Sequence, residues 1–271
     1  MTSWDYATPT SLGTGVAKTE INGGNPLTKP TQAQTLIEIC PYMASTGALT
    51  AGQTYLTKGI IESNSINLLP KQFLVPPISG GLGTFTSSLT PMLDTIETNT
   101  PLQVGSTQQF RSYGQNFVAN TVANKLGIAF HYSTAQTSAK EMFYDMPNNE
   151  TSTGTSATTV SGEDLTINDG VFLEEITPAL VSGVVTVSES YMGEIKVSSN
   201  DFENSMPLNI PCQPMSTALG SAIGVGTPKL PRFKNIHMGM KSSTTISHSL
   251  VLEEALTASG NFIVGYGYTK S

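Results

Sequence analysis

Histidines are the residues of this chain best suited to acid–base or metal chemistry, and there are three: His131, His237 and His248. None of them has another histidine, a cysteine or a carboxylate at a metal-ligand spacing. His131 alternates with Phe130 and Tyr132 in a predicted strand, which favours a solvent-facing position. The pattern therefore indicates structural histidines, with no metal site and no catalytic base.

Two adjacent carboxylate pairs, Glu174-Glu175 and Glu253-Glu254, fall in or next to predicted strands. Neighbours on a strand point to opposite faces, so neither pair predicts a shared carboxylate site. Glycines cluster at Gly80-Gly81-Leu82-Gly83 and again at Gly220, Gly224 and Gly226. A phosphate loop needs a helix after it, and neither cluster is followed by a helical pattern. Both glycine clusters are therefore interpreted as turns.

A glycosylation triplet, Asn149-Glu150-Thr151, lies in a polar stretch. Because the sequence shows no secretory signal, the triplet is not expected to be glycosylated. Three acidic residues follow it at Glu163, Asp164 and Asp169. They allow two interpretations: a Ca²⁺ site completed by loop carbonyls, or a solvated acidic loop.

The two cysteines, Cys40 and Cys212, are interpreted as small buried apolar side chains. A disulfide between them is the alternative, which sequence alone does not decide. Taken together, these motifs predict no catalytic, cofactor-binding or metal-binding residues, and hence no enzyme.

Composition excludes one class of partner. The net charge is −7, charged residues make up 12% of the chain, and the 13 Lys and Arg residues are scattered. A protein that neutralises nucleic-acid phosphates needs its basic residues gathered on one face or in an arm, so no direct nucleic-acid binding is expected. No apolar run approaches the roughly 20 residues needed to cross a bilayer, and the N-terminus does not read as a signal peptide.

The elements that position these residues are predicted from an internal repeat. When the chain is shifted by 136 residues, four stretches with a β-pattern fall into register. They are 36–40 with 172–176, 61–66 with 197–202, 104–110 with 240–246, and 126–133 with 262–269. The register slips by one residue beside Pro76 and Pro211, where a turn tolerates it. The alternative is that two unrelated β-domains have strands of similar length and spacing.

The repeat divides the chain into four parts: an extended N-terminal arm at 1–35, a first β-unit at 36–134, a linker at 135–171 and a second β-unit at 172–271. The arm is expected to order only against a neighbour. The linker is expected to hold a short helix at 138–144 and an exposed Ser/Thr-rich loop at 148–162.

Alternating apolar residues bounded by Gly, Pro and Asn predict seven strands in each unit. In the first unit they lie near 36–42, 54–63, 72–76, 83–89, 101–104, 108–118 and 125–133. In the second they lie near 171–176, 183–188, 191–199, 207–211, 233–240, 244–252 and 261–268.

This arrangement resembles the double jelly-roll major capsid proteins of membrane-containing icosahedral viruses and phages. The resemblance covers roughly 36–270 and implies an all-β fold of two tandem eight-stranded antiparallel jelly-roll barrels related by internal duplication. It also implies that the first and last strands of each unit are neighbours in one sheet: 36–40 with 126–133, and 172–176 with 262–269. Seven predicted strands per unit depart from this pattern and leave room for paired immunoglobulin-like sandwiches.

The function that the resemblance implies is a major capsid protein whose homotrimers form pseudo-hexameric capsomers of an icosahedral shell. Expected partners are further copies of the chain, minor capsid or vertex proteins and an underlying viral membrane protein, in a virion assembled in the host cytoplasm. The main alternative is a surface-layer, tail or appendage protein with two β-sandwich modules that bind a receptor or glycan. A third is a β-sandwich enzyme acting on polysaccharide, for which the sequence offers no convergent carboxylates.

Overall fold

The computed structural model describes residues 2–24, 27–28, 34–47, 54–63, 71–80, 88–89, 94–102, 109–135, 138–182, 193–202, 207–212, 230–253, 255 and 259–270. These residues form twenty β-strands and one 3-10 turn at Asn22–Gly24. Strands of the first unit are β1 (Thr2–Gly13), β2 (Thr19–Glu20), β3 (Leu27–Thr28), β4 (Gln34–Ser45), β5 (Thr54–Ser63), β6 (Lys71–Gly80), β7 (Ser88–Leu89), β8 (Ile96–Leu102), β9 (Gln109–Asn116) and β10 (Asn124–Ser133). Those of the second unit are β11 (Met142–Asp145), β12 (Thr151–Gly154), β13 (Thr159–Ser161), β14 (Leu165–Ile167), β15 (Val171–Ser182), β16 (Gly193–Ser198), β17 (Leu208–Cys212), β18 (Phe233–Met240), β19 (Thr244–Leu252) and β20 (Gly260–Lys270).

The first unit is a sandwich of two antiparallel sheets. One sheet has the order β1-β10-β4-β8, and the other has the order β2-β9-β5-β6-β7, with β3 also paired to β9. The chain thus forms one long antiparallel ribbon, in which β1 pairs with β10, β2 and β3 with β9, β4 with β8, and β5 with β6. The ribbon is rolled up, so that β10 also pairs with β4, and β9 with β5. A rolled ribbon of this kind is a jelly roll.

The second unit repeats this order strand for strand. Its first sheet runs β11-β20-β15-β18, with β12 also on β20, and its second runs β13-β19-β16-β17, with β14 also on β19. The predicted repeat is confirmed, because both units have the same strand order. The two implied neighbour pairs are also confirmed: β4 lies beside β10, and β15 lies beside β20. The fold is two tandem eight-stranded jelly rolls, if the broken strands β2/β3, β11/β12 and β13/β14 are each counted as one; the two-residue β7 at the edge of the first unit is an additional strand without a described counterpart in the second.

Each unit closes around its own hydrophobic core, to which alternate residues of most long strands contribute. The core of the first unit holds Ile39, Phe73, Ile96, Ile128 and Phe130 among its buried side chains. That of the second is built from the corresponding strands and includes Leu173, Ile195, Ile210, Ile246 and Phe262.

The prediction of an extended arm at 1–35 is wrong for Thr2–Gly13, which pairs along β10 as an integral edge strand. Only two of its side chains, Ala7 and Leu12, enter the core. The register shifts between Ala7 and Thr10, around Pro9, which has no N–H to give to a ladder. An edge strand with two apolar contacts and a proline shows no clear alternation in the sequence.

The predicted linker at 135–171 is also corrected. The expected helix at 138–144 is replaced by β11, and the expected Ser/Thr-rich loop contains β12 and β13. These strands supply the first and second ribbon strands of the second unit, as β1 to β3 do in the first. They are the two ribbon strands that sequence periodicity did not reveal. The strands predicted at 83–89 and 183–188 lie outside the described residues, apart from β7.

Truncating Leu12 tests whether β1 belongs to the folded unit. Leu12 is 5% exposed, and a side chain added at Gly114 would meet it, so the site is closely packed. We expect Leu12→Ala to lower the free energy of unfolding by about 2–4 kcal/mol. Denaturant titration followed by circular dichroism measures this loss. The exposed Thr8→Ala is the control, expected within about 0.5 kcal/mol of the parent. Equal stability of the two variants would contradict the placement of β1.

Candidate assembly interface

The two units meet along an apolar seam. Leu56 on β5 and Leu74 on β6 pack against Ala179 on β15 and Ile263 on β20, and all four are at most 2% exposed. Their strand neighbours Tyr55, Phe73 and Val75 point the other way, into the core of the first unit. The seam is therefore formed by the outer faces of two sheets, as expected for residues that alternate along strands.

A glycine on β20 faces the seam. A Cβ atom added at Gly265 would lie 3.7 Å from the Cγ and Cδ1 atoms of Leu74, which is an ordinary van der Waals distance. A side chain longer than that of alanine would therefore reach the space that Leu74 occupies. Because the β5–β6 face of one unit covers the β15–β20 face of the other, the two units contribute different surfaces. The junction is head-to-tail.

Strand β11 has both faces buried in the junction. Phe143 points into the core of the second unit, whereas Tyr144 belongs to the core of the first. The Tyr144 hydroxyl donates to the backbone carbonyl of Glu97, at 2.8 Å. Burial raises the Tyr144 pKa well above its usual value, so the hydroxyl stays a donor. A four-residue strand thus ties the two cores together.

Arg232 makes the central ionic contact of the junction. Its Nε lies 2.7 Å from Asp94 of the first unit, and its Nη1 lies 2.6 Å from Glu175 of the second. The side chains of Arg232 and Glu175 are 7% and 3% exposed. Burial opposes the guanidinium charge, but Glu175 and Asp94 outweigh it and raise the pKa of Arg232. One cation therefore bridges carboxylates from both units.

A second buried cation lies on the other side of β11. Lys71 is 3% exposed, donates to Glu141 at 3.0 Å and to the Met142 carbonyl at 2.6 Å, and lies 4.3 Å from the centre of the Phe143 ring. Burial lowers its pKa, while Glu141 opposes that shift. Lys71 belongs to β6 and its partners to the second unit, so this contact also crosses the junction.

A cleft of about 550 Å³ opens beside this ionic contact, lined by Asp94, Thr95, Leu230, Pro231, Arg232, Phe233 and Lys234. Arg232 Nη2 is buried there and has no hydrogen-bond partner among the described residues. The lining carries both signs of charge, and Arg232 is already paired with Asp94 and Glu175. We therefore interpret the cleft as part of the contact between the two units.

The three predicted structural histidines lie apart. The prediction that His131 faces solvent holds for its direction only: the side chain points to the outer face of the sheet but is 18% exposed, because its ring stacks under Trp4 at 4.3 Å and Nδ1 lies 3.0 Å from Glu38. His237 stacks on Phe172, with ring centroids 4.9 Å apart. His248 is buried beside Tyr266, and burial lowers its pKa to about 4. His248 is therefore neutral at pH 7 and packs against Phe262 and Tyr266.

The carboxylate pair Glu174-Glu175 has separate partners. Glu174 accepts from Thr269 and contacts His237, whereas Glu175 pairs with Arg232. Glu254 lies outside the described residues, as do Gly81, Leu82, Gly83, Gly220, Gly224 and Gly226.

Glu163 and Asp169, two of the acidic residues considered for a Ca²⁺ site, also have separate partners. Glu163 accepts hydrogen bonds from Asn149, and Asp169 pairs with Lys270 at 3.1 Å. Within the described ranges, no group of three His, Cys, Asp or Glu side chains could hold a metal ion. The two cysteines are confirmed as free and buried, and burial raises the pKa of Cys212 to about 12.

The residues of the junction were not predicted from the sequence. Arg232 and Asp94 are far apart in the chain and fall outside the matched repeat stretches. No local pattern singles out Arg232, because Lys229 and Lys234 flank it in the sequence and such a basic stretch is typical of an exposed segment. Glu150 was also missed as a titrating group. Burial raises its pKa to about 7, and it accepts from Asn261 at 2.7 Å.

No protein-family model and no curated protein matches this chain. No helix among the described residues is long and apolar enough to span a membrane.

Several solved structures are similar to the chain over its whole length. The major capsid protein of Sulfolobus turreted icosahedral virus matches with 8% identity and a TM-score of 0.46, over 100% of this chain and 97% of that one. The major capsid protein P2 of bacteriophage PM2 matches with 8% identity and a TM-score of 0.40, over 100% and 98%. A peptide-N(4)-(N-acetyl-β-D-glucosaminyl) asparagine amidase matches with 8% identity and a TM-score of 0.45, over 99% and 96%.

The chain spans 65% of the length of PNGF-II, which it matches with 7% identity and a TM-score of 0.44. These identities and scores are too low for the function of any matched protein to be transferred to this chain.

Removing the Arg232 charge tests the junction. We expect Arg232→Met to destabilise the chain by about 3–5 kcal/mol, because Asp94 and Glu175 would be left buried without a counter-charge. Adding Asp94→Asn and Glu175→Gln should recover much of the loss. Lys234→Met is the control, expected to cost at most about 1 kcal/mol, since its pair with Glu97 is exposed. Denaturant titration measures each value; a loss for Arg232→Met as small as the control would contradict the bridge.

Glu150 predicts a pH dependence. Its folded pKa of about 7 lies above the usual 4.5, so the folded state holds the proton more tightly than the unfolded chain. Stability should therefore fall as pH rises from 4.5 to 7. Relative to Glu150→Gln, which keeps the acceptor for Asn261, the parent should lose about 1–2 kcal/mol over this range. Denaturant titrations at several pH values give the difference; a constant gap between the two proteins would refute the shift.

Proposed function

We propose that this protein is the major capsid protein of an icosahedral virus and acts by self-assembly. In this proposal its two jelly rolls, at 2–135 and 138–270, are successive building blocks of a shell, and three copies form a capsomer with six similar units. No catalytic centre is required.

The observation that carries the proposal is the head-to-tail junction. Each unit has two outer faces, one on each of its sheets. One face belongs to the sheet that contains β1 in the first unit and β11 in the second; the other belongs to the sheet that contains β5 in the first unit and β16 in the second. Within the chain, the β5–β6 face covers the β15–β20 face. This leaves one face of each type uncovered at the two ends of the pair. A heterologous contact that repeats makes a ring when its rotation closes, and six units close it with three chains.

The charge distribution suits such a role. With 12% charged residues and a net charge of −7, the chain can bury polar surface against its neighbours at lower desolvation cost than a highly charged protein. The acidic balance makes direct contact with the genome unfavourable. We propose further copies of the chain, minor capsid or vertex proteins and an underlying membrane protein as partners, in a virion assembled in the host cytoplasm.

The junction disfavours the alternative that the two units are independent binding modules. Modules of an appendage protein would be joined by a linker, whereas here β11 lies in both cores and Arg232 is buried between the units. An enzyme acting on glycans would need convergent, available carboxylates. Glu175, Asp94 and Glu163 are each held by structural partners.

The proposal predicts a defined oligomer. The purified chain, with a subunit mass of 28.7 kDa, should elute with a light-scattering mass of three subunits. Arg232→Met, which weakens the junction within each chain, should lower the trimer fraction, while Lys234→Met should not. A monomer at every concentration tested would overturn the proposal. So would glycan hydrolysis by the purified chain that is lost on changing one carboxylate.

A further inference from the structure

The outer face of the β1-β10-β4-β8 sheet carries an unusual cluster of aromatic side chains. We call this cluster the aromatic face and define it by the outward side chains of its first three strands: Trp4, Tyr6, Glu38, Tyr42 and His131. Trp4 and Tyr6 are 55% and 58% exposed. The other large hydrophobic residues that the structure describes as exposed are Val16 and Val118. Both exposed aromatics therefore lie on one sheet face.

The cluster is held in a fixed conformation. The ring of Trp4 lies parallel to that of His131, with an interplanar angle of 2° and a centroid distance of 4.3 Å. Nδ1 of His131 is in turn 3.0 Å from Glu38 on the next strand. A tryptophan that is already ordered loses little entropy on binding, and tryptophan and tyrosine are enriched among the residues that dominate interface energies.

The second unit shows what covers this kind of face. Ala129 on β10 corresponds to Gly265 on β20 in the internal repeat, and Tyr6 is the register neighbour of Ala129. Gly265 is covered by Leu74 of the first unit. Leu74 corresponds in turn to Pro211 of the second unit, since Leu74 pairs with Lys58 on β5 and Pro211 pairs with Glu194, the repeat equivalent of Lys58. The equivalent contact would bring Pro211 over Tyr6.

Pro211 is exposed and lies on a sheet face that is open in the isolated chain. The outward side chains of β16, β17 and β19 there are half-buried or exposed, while their neighbours Ile195, Ile210 and Leu250 point into the core. We call this the polar face and define it by Glu194, Lys196, Asn209, Pro211, Ser249 and Val251.

We infer that the aromatic face of one copy docks on the polar face of a second copy, which repeats between chains the junction seen within the chain. This inference rests on the proposed function and names its contact surface. Trp4 and Tyr6 are the anchors, and the polar face supplies hydrogen-bonding groups and the apolar surfaces of Pro211 and Val251. Because the two faces differ, the contact is head-to-tail and closes a ring instead of stopping at a dimer.

Trp4 is the single tryptophan of the chain, so its fluorescence reports on this surface directly. In the unmodified protein, acrylamide quenching should fall at least about twofold as the light-scattering mass rises from one subunit to three, because the half-exposed ring becomes buried. Unchanged quenching across that rise would overturn the docking surface while leaving the trimer, and the proposed function, in place.

Disulfide trapping tests the pairing itself. The double variant Tyr6→Cys/Pro211→Cys should form covalent trimers under mild oxidation, since each interface in the ring would carry one cysteine from each face. A mixture of the two single variants should give covalent dimers and nothing larger. Tyr6→Cys/Lys241→Cys is the matched control: Lys241 is 88% exposed in the turn between β18 and β19 and should not cross-link.

The outcomes separate the two claims. Self-linked dimers of Tyr6→Cys alone would show a face-to-face contact and overturn the head-to-tail docking. An uncross-linked trimer of the double variant would reject the docking surface and leave the proposed function standing. A protein that stays monomeric would reject both. Circular dichroism of each variant establishes that the fold is retained.

Discussion

Each jelly roll has two sheets and therefore two outer faces, and the way in which these faces are covered governs the rest of the structure. Where the units meet, four small or aliphatic residues form a dry seam: Leu56, Leu74, Ala179 and Ile263. Gly265 faces Leu74 across this seam. Because the seam joins unlike faces, each unit keeps one outer face that the other unit does not cover, and these two remaining faces are of different types.

Two buried cations lie at the junction. Arg232 and Lys71 are both almost fully buried, and each bridges the units through carboxylates or a backbone carbonyl. Buried ion pairs of this kind contribute less to stability than well-packed apolar residues, but they penalise any other alignment of the two sheets. We therefore regard them as setting the angle between the units. In the assembly that we propose, that angle would determine whether successive chains close into a ring.

Much of the fold could be predicted from the sequence, since the long central strands have regular alternation and a common offset. β5, β18 and β19 have the predicted boundaries to the residue. The first two ribbon strands of each unit could not be predicted. β1 has two core residues and a proline, and β11 is only four residues long with both faces buried, so neither shows a period of two.

The interface residues were hidden for a different reason. Asp94, Glu175 and Arg232 come together only after both units fold, and pairing between distant positions leaves no local pattern. The aromatic face depends on β1 in the same way, because Trp4 reaches His131 only once that strand is in the sheet. Sequence periodicity predicts which residues are buried within a unit, and not which outer faces meet.

The most direct test of the central claim is electron microscopy of the purified oligomer. Class averages should show a three-fold particle with six lobes of similar size around a ring, each lobe one jelly roll, and adjacent lobes related by nearly the same rotation within a chain and between chains. Particles with two lobes, or with three pairs of lobes in which the contacts between chains differ from the junction within each chain, would contradict the head-to-tail account.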